Sequence, residues 1–279
     1  MFQRFSNSWE LVKASAAVLS ADKELIVFPI VSALGTIIVT LSFAIPMFFS
    51  GMFDAIAANN SGILPFIIAF IFYVAQYVVI FFANTALVGA ALIRLRGGDP
   101  TIGDGFQIAF SHIGSIFGYA LIAATVGMII RLLSNKRNGL GRILISLVGM
   151  AWNVATFLVV PVLASEGIGP FEAIKRSVLL LKKTWGEQLI GNFGLGAVFG
   201  LISIIIILIG AAGVFLAISL QSMFLIAAVV VVFAFILVVI GLVNSALSGI
   251  YTAAVYRYAV DGETGGFFDD SMVRNAFTR

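Results

Sequence analysis

Long apolar blocks alternate with short polar segments along the whole chain. An apolar block must contain about 20 residues for a helix to cross the hydrocarbon core of a bilayer. Six blocks meet this length, and they cover residues 25–49, 63–93, 113–133, 142–164, 188–219 and 222–258. The pattern therefore predicts six membrane-spanning helices, of which the second, fifth and sixth are longer than a bilayer requires.

Three polar segments have a different pattern, in which most apolar residues recur at steps of three and four. This spacing places them along one face of a helix, as in helices that lie at a membrane surface. The positions are Phe2, Phe5, Trp9, Val12 and Leu19 in the first segment, Phe106, Phe110, Ile113 and Phe117 in the second, and Phe171, Ile174, Val178, Leu181 and Trp185 in the third. Each segment is expected to form an amphipathic helix that precedes two spans.

Short sequence matches indicate that the chain is built from three related units. Residues 9–15 (WELVKAS) align without gaps on residues 171–177 (FEAIKRS), and residues 84–89 (NTALVG) align on residues 244–249 (NSALSG). Each unit would comprise a cytoplasmic-side amphipathic helix and a hairpin of two spans. The units would cover about residues 1–96, 97–166 and 167–260, followed by a short tail at 261–279. The sequence thus predicts an all-α polytopic membrane protein with a single membrane domain, residues 1–279.

Composition and charge support this class and predict an orientation. Of the 279 residues, 61% are hydrophobic and 10% are charged, whereas soluble domains are about half apolar and a quarter charged. With the N-terminus inside, the cytoplasmic side carries twelve Lys and Arg residues and the outer side carries four. The positive-inside rule then places both termini in the cytoplasm. The four outer residues lie at 131–142, where they either reach lipid phosphates or form an anion-facing surface.

Few residues in the sequence are suited to catalysis or metal binding. The chain has no cysteine and a single histidine, His112, which leaves no ready set for metal coordination or nucleophilic catalysis. All thirteen acidic residues fall in loops, surface helices or span ends, whereas proton-coupled transporters usually keep an ionisable group at mid-membrane. No basic cluster is interleaved with base-stacking aromatic residues. The sequence therefore predicts no cofactor, no metal and no nucleic-acid partner.

Two sets of polar residues remain as candidate sites. The third amphipathic segment carries four basic residues that are expected to contact lipid headgroups, namely Lys175, Arg176, Lys182 and Lys183. Three asparagines occupy similar places in the three hairpins, namely Asn84, Asn153 and Asn244. They either join helices by hydrogen bonds or converge on a polar patch that binds a headgroup or solute.

These features favour a non-enzymatic protein over an enzyme. The first hypothesis is a membrane-organising or accessory component that engages lipid headgroups or a partner protein through its basic surface helices. The alternative is a channel or transporter for a small solute or lipid, lined by the asparagine-bearing hairpins. An intramembrane enzyme would need carboxylates such as Glu166 and Glu187 to meet near the inner surface. Stripes of small residues along the spans are also compatible with a homo-oligomer, because they allow helices to pack closely.

Three sequence blocks resemble an uncharacterised family of six-span prokaryotic membrane proteins, a domain of unknown function. The blocks begin at residues 8 (SWELVKAS, followed by ADKELIVFP at 21), 91 (ALIRLRGGDPTIGDGF) and 157 (FLVVPVLASEGIGPFEAIKRSVLLLKKTWGEQLIGNFG). More loosely, the plan of amphipathic helix and hairpin is similar to the membrane domain attached to some bacterial glycerophosphodiester phosphodiesterases. The resemblance implies a six-span fold in the inner membrane of a prokaryote and no catalytic residues.

Overall fold

The computed structural model describes residues 2–52, 62–135, 140–185, 194–219, 222–269 and 273, which contain helices and turns but no β-strand. The helices of this part are α1 (Phe2–Ala21), α2 (Val27–Phe49), α3 (Leu64–Leu95), α4 (Ile102–Ser111), α5 (Ile113–Asn135), α6 (Leu140–Ala155), α7 (Val159–Glu166), α8 (Pro170–Trp185), α9 (Gly194–Ser219) and α10 (Met223–Asp261). A 3-10 turn, Lys23–Ile26, joins α1 to α2.

Six stretches of the described chain are helical, long and apolar enough to cross a bilayer, as the sequence predicts. They are Lys23–Phe49, Leu64–Leu95, Ile113–Ser134, Ile143–Glu166, Ile202–Ser219 and Met223–Asp261. Many of their large apolar side chains are exposed, which is the surface that a lipid-facing helix presents. The protein is therefore an all-helical, multi-pass membrane protein.

The packed core lies at one end of the bundle, around the C-terminal halves of α3 and α10. These helices contain 32 and 39 residues. Their lengths are therefore about 48 and 58 Å, well beyond the roughly 30 Å of a hydrocarbon core. Most residues from Ala83 to Leu95 are buried. A Cβ at Gly249 of α10 would overlap the Leu87 side chain of α3, so a residue without a side chain is needed for this close approach.

The three short helices α1, α4 and α8 pack against the spans near this core. α1 contacts α9 and α10, α4 contacts α3, and α8 contacts α6, α7 and α10. α4 begins with a capping box, in which Thr101 Oγ1 accepts a hydrogen bond from the Asp104 N–H and the Asp104 carboxylate accepts one from the Thr101 N–H. The hydrogen bonds from Thr101 lower the pKa of the Asp104 carboxyl.

The fourth span is broken between α6 and α7, at residues 156–158. Pro161 lies in the first turn of α7, where its missing N–H costs nothing, but in a continuous helix its ring would clash with the carbonyl oxygen of Phe157. The break leaves the Leu158 N–H without a helical acceptor. Ser177 Oγ of α8 accepts that hydrogen bond at 3.1 Å, and both residues are fully buried. α8 thereby completes the hydrogen bonding of a span to which it does not belong.

The sequence located five of the six spans within a few residues. For the fifth, predicted at 188–219, the described helix begins at Gly194 and its long apolar stretch at Ile202. Residues 188–193 of the predicted fifth span lie outside the described residues, as do the side chains of Phe2, Phe5 and Trp185. The division into three related units stays a prediction, as does the surface location of the amphipathic helices.

Candidate functional site on the basic helix

The start of α8 is fixed by three residues that suit a helix N-terminus. Gly167 ends α7 with φ +62°, a conformation that a residue with a side chain rarely adopts. Pro170 is the first residue of α8, a position where its missing N–H costs nothing. The Glu172 carboxylate accepts a hydrogen bond from the Gly169 N–H at 3.3 Å. The sharp turn holds α8 directly against α7.

The side of α8 that faces the bundle consists of small and aliphatic residues. Ala173, Ser177, Leu180 and Leu181 are buried. Ala173 and Ser177 are one turn apart, and their small side chains allow α8 to approach its neighbours closely. The helix is thus anchored through its inner side, and its basic residues are left for other contacts.

The outer side of α8 combines exposed lysines with exposed apolar side chains. Lys175, Lys182 and Lys183 are exposed. Phe171 is 73% exposed and Val178 is 41% exposed. Phe171 and Val178 are seven residues apart, as are Lys175 and Lys182, so each pair is aligned along the helix over two turns. A lysine row beside an apolar row is typical of a helix that lies at a membrane surface.

The structure divides the apolar face that the sequence predicted for α8. Leu181 is buried and Ile174 packs against the core, whereas Phe171 and Val178 are exposed. The inner contact is made instead by smaller residues, including Ala173. Large apolar residues need not turn inward in a membrane protein, because lipid tails are as apolar as a protein core.

Arg176 differs from the three lysines because it is bonded within the protein. Its Nε donates to both carboxylate oxygens of Glu166 at 3.0 Å. The Tyr256 hydroxyl donates to Glu166 Oε1 at 3.0 Å and accepts a hydrogen bond from Ser165 Oγ at 2.7 Å. This network joins α7, α8 and α10. Arg176 therefore belongs to a structural junction, and the candidate lipid contact rests on the three lysines.

The three candidate asparagines do not form one hydrogen-bonded cluster. Among the described residues, no hydrogen bond joins the side chains of Asn84, Asn153 and Asn244, and Asn153 is exposed. Asn244 Oδ1 is buried and has no hydrogen-bond partner in the described part of the chain. Asn244 precedes Gly249 by five residues, and Asn84 precedes Leu87 by three. Because Gly249 and Leu87 are in contact, Asn84 and Asn244 lie at similar depth on adjacent helices.

Other polar contacts were not predicted, because their partners are far apart in the sequence. The Arg94 guanidinium forms a bidentate pair with the buried Asp22 carboxylate, 72 residues away, and Nη2 also donates to Asp99 at 2.6 Å. The Tyr256–Glu166 bond joins residues 90 apart. No local pattern contains such pairings. Glu187, the second carboxylate of the enzyme hypothesis, lies outside the described residues.

Comparison with known proteins identifies the family of this chain. A model described as a family of unknown function (DUF6159) matches residues 63–267, more than two thirds of the chain. A search of curated proteins and a search of solved structures give no match. Nothing in the comparisons supports a similarity to the membrane domain of glycerophosphodiester phosphodiesterases. The chain belongs to the DUF6159 family, a family of unknown function.

Proposed function

We propose that this protein is a non-enzymatic, membrane-organising or accessory component that binds anionic lipid headgroups through α8. The observation that carries the proposal is the exposed surface of α8, where Lys175 and Lys182 lie beside Phe171 and Val178 and Lys183 flanks them. A bilayer surrounds the apolar spans of this chain. The apolar row of α8 can therefore enter the boundary of the acyl chains while the ammonium groups stay with lipid phosphates.

The proposed location of α8 is the cytoplasmic surface of the inner membrane of a prokaryote, with both termini in the cytoplasm. The excess of Lys and Arg on that side, twelve against four, supports this orientation. The cytoplasmic leaflet carries anionic lipids, and each lysine near its surface is attracted by about 1 kcal/mol. Three lysines on one helix give a local attraction that isolated charges elsewhere on the chain do not.

A plan of three related units supports the same role. In this plan α1, α4 and α8 are equivalent elements, which lie against α10, α3 and α7 respectively. α3, α7 and α10 are each followed by a glycine with positive φ, namely Gly97, Gly167 and Gly262. Each short helix also buries a pair of residues one turn apart. These pairs are Leu11 and Ser15, Gly105 and Ala109, and Ala173 and Ser177. α8 is then the copy specialised for contact with headgroups.

Charge reversal on α8 tests the proposal. The triple variant Lys175→Glu, Lys182→Glu and Lys183→Glu leaves Arg176 and its bond to Glu166 intact. The measurement is the association constant of spin-labelled phosphatidylglycerol relative to phosphatidylcholine, for the full chain in proteoliposomes. The variant is expected to lower this ratio about twofold or more, since each reversal replaces a surface attraction by a repulsion.

The matched control changes three exposed basic residues that are not grouped on one helix. The variant Lys13→Glu, Lys23→Glu and Arg96→Glu alters the net charge equally, and all three residues are exposed. We expect it to keep most of the preference for phosphatidylglycerol. Equal losses in the two variants would refute a special role of α8. If the lipid preference were unchanged and a co-purifying protein were lost from the α8 variant alone, the binding partner of α8 would be a protein and not a lipid.

A channel or transporter for a small solute or lipid is the second candidate function. It is favoured by the buried Asn244 Oδ1, which has no partner among the residues that the structure describes and lies at a depth close to that of Asn84. An amide oxygen without a partner inside a membrane protein is costly unless a solute or water pairs with it. Solute flux in proteoliposomes that Asn84→Leu or Asn244→Leu abolishes, in a chain that still folds, would favour transport over the first proposal.

A further inference from the structure

A second polar site lies between α3 and α5, at the end of the bundle away from the packed core. A cavity of about 190 Å³ opens there, lined by Tyr73, Tyr77, Ala124, Gly127, Met128 and Arg131. Tyr73 is nine residues from the start of α3, about 13 Å along the helix axis. Arg131 is four residues from the end of α5. The cavity is therefore close to the membrane boundary opposite α8.

Arg131 supplies a cation that no carboxylate among the described residues pairs with. Its Nη1 donates a hydrogen bond to the Tyr73 hydroxyl, and its guanidinium carbon lies 5.9 Å from the centre of the Tyr73 ring. None of the ion pairs among the described residues involves Arg131. Its Nε and Nη2 hydrogens have no acceptor in this part of the chain. A planar guanidinium with free donors matches the two oxygens of a phosphate group.

The two tyrosines of the cavity are held in place by a row of aromatic rings. Tyr73 stacks on Tyr77 with ring centres 6.5 Å apart, and Tyr77 stacks on Phe81 at 5.4 Å with nearly parallel planes. Phe81 in turn lies 4.5 Å from Tyr119 of α5. A Cβ at Gly127 would stand 3.4 Å from the Tyr77 hydroxyl oxygen, so the glycine keeps this side of the cavity open. The phenol groups are thus fixed in position before any ligand arrives.

The surface around the cavity is apolar. Ile71 of α3 is 51% exposed, and Ile129 and Leu132 of α5 are 51% and 42% exposed. Such a surface faces lipid tails in a membrane-spanning helix, so a cation and two phenols open beside a lipid-facing surface. We propose that this cavity binds a phosphate group, with Arg131 and Tyr77 as the donors. The phosphate is supplied either by a phospholipid headgroup of this leaflet or by a free phosphate ion.

The test measures thermal stabilisation of the purified full chain in neutral detergent. Dioctanoyl phosphatidylglycerol is added in one arm, and sodium phosphate in the other, with sodium chloride of equal ionic strength as reference. Arg131→Gln is compared with Arg96→Gln, a matched loss of one exposed arginine at the opposite end. We expect a rise in melting temperature in the unsubstituted chain and in Arg96→Gln, and loss of most of that rise in Arg131→Gln.

Gly127→Val provides a second variant, because its side chain fills the cavity without removing the guanidinium. Gly127→Val is expected to lose the stabilisation as well. If Arg131→Gln does not fold, Gly127→Val is compared with the unsubstituted chain in its place. Stabilisation by the lipid alone identifies a headgroup, and stabilisation by phosphate identifies a free ion. The proposal would be overturned if, in both arms, the melting temperature of Arg131→Gln and of Gly127→Val rose as much as that of the unsubstituted chain. Repeating the lipid arm with the triple α8 variant separates this site from α8, since the Arg131-dependent shift should persist there.

Discussion

At the scale of single residues, two buried serines occupy matching positions but have different surroundings. Ser177 of α8 and Ser15 of α1 align in the internal sequence match, and both are fully buried. Ser177 Oγ accepts the hydrogen bond that Leu158 N–H loses at the break in the fourth span. Ser15 Oγ has no hydrogen-bond partner among the described residues. Among the described residues, the Ser177 hydroxyl therefore has a hydrogen bond that the Ser15 hydroxyl lacks.

Replacing each serine by alanine separates these roles. Ser177→Ala leaves the buried Leu158 N–H without an acceptor, which is expected to destabilise the protein by about 1–3 kcal/mol. Ser15→Ala removes a buried hydroxyl that has no partner in the described part of the chain, so stability should stay the same or rise slightly. Equilibrium unfolding in mixed micelles measures both changes. If Ser15→Ala proved as costly as Ser177→Ala, the hydrogen bond to Leu158 would not be the source of the effect.

At the scale of elements, hydropathy predicted the spans, which depend on local composition. It did not predict features that depend on contacts with neighbouring helices. The six spans follow from long apolar blocks, which have few stable arrangements other than membrane helices. The break at residues 156–158 could not be located, because it requires an acceptor from Ser177 on another helix. The buried side of α8 was also missed. Apolar periodicity selects Phe171 and Val178, but in lipid these side chains have no reason to turn inward.

The contact of α4 with α2 and α3 gives a test at this scale. A Cβ at Gly105 would overlap the Phe28 ring and stand 2.8 Å from the Ala86 carbonyl oxygen, which is backbone and cannot rotate away. Gly105→Ala should therefore lower stability by about 1–3 kcal/mol. Gly103→Ala on the same helix meets only Thr101 Oγ1, at 3.5 Å. It should leave stability unchanged or raise it by up to about 1 kcal/mol.

Thermal unfolding of the two glycine variants in one detergent checks this pair. A larger loss for Gly105→Ala indicates that α4 is held by close backbone contact with α3. Similar melting temperatures for the two variants would show that α4 is free to shift outward. In that case the equivalence proposed for α1, α4 and α8 would lose one of its supports.

At the scale of the whole molecule, the two candidate sites lie at opposite ends of the bundle, and the packed core lies at the end that carries α8. The core gathers where α1, α4 and α8 meet the long ends of α3 and α10, and α8 presents its lysines there. The lysine positions could be predicted because surface charges are readable from the sequence. The bond of Arg176 to Glu166 and the cavity beside Arg131 could not, since each needs the packing of separate helices.

Orientation in the membrane is the property on which the role of α8 depends most. The sequence contains no cysteine, so single cysteines can be introduced without a background of native thiols. Lys183→Cys marks the exposed side of α8, and Ser222→Cys marks the segment before α10, at the other end of that helix. A membrane-impermeant maleimide should label Ser222→Cys in intact cells. Lys183→Cys should be labelled only after the membrane is opened.

This expectation follows from the distribution of basic residues, because Lys and Arg near span ends favour the cytoplasmic side. The unsubstituted chain serves as the control, and it should take up no label before or after lysis. If Lys183→Cys were labelled in intact cells and Ser222→Cys were not, the orientation of the protein would be the reverse of the predicted one. α8 would then face the outer leaflet, and the cavity beside Arg131 would open towards the anionic cytoplasmic leaflet. The two proposed phosphate contacts would exchange their membrane surfaces.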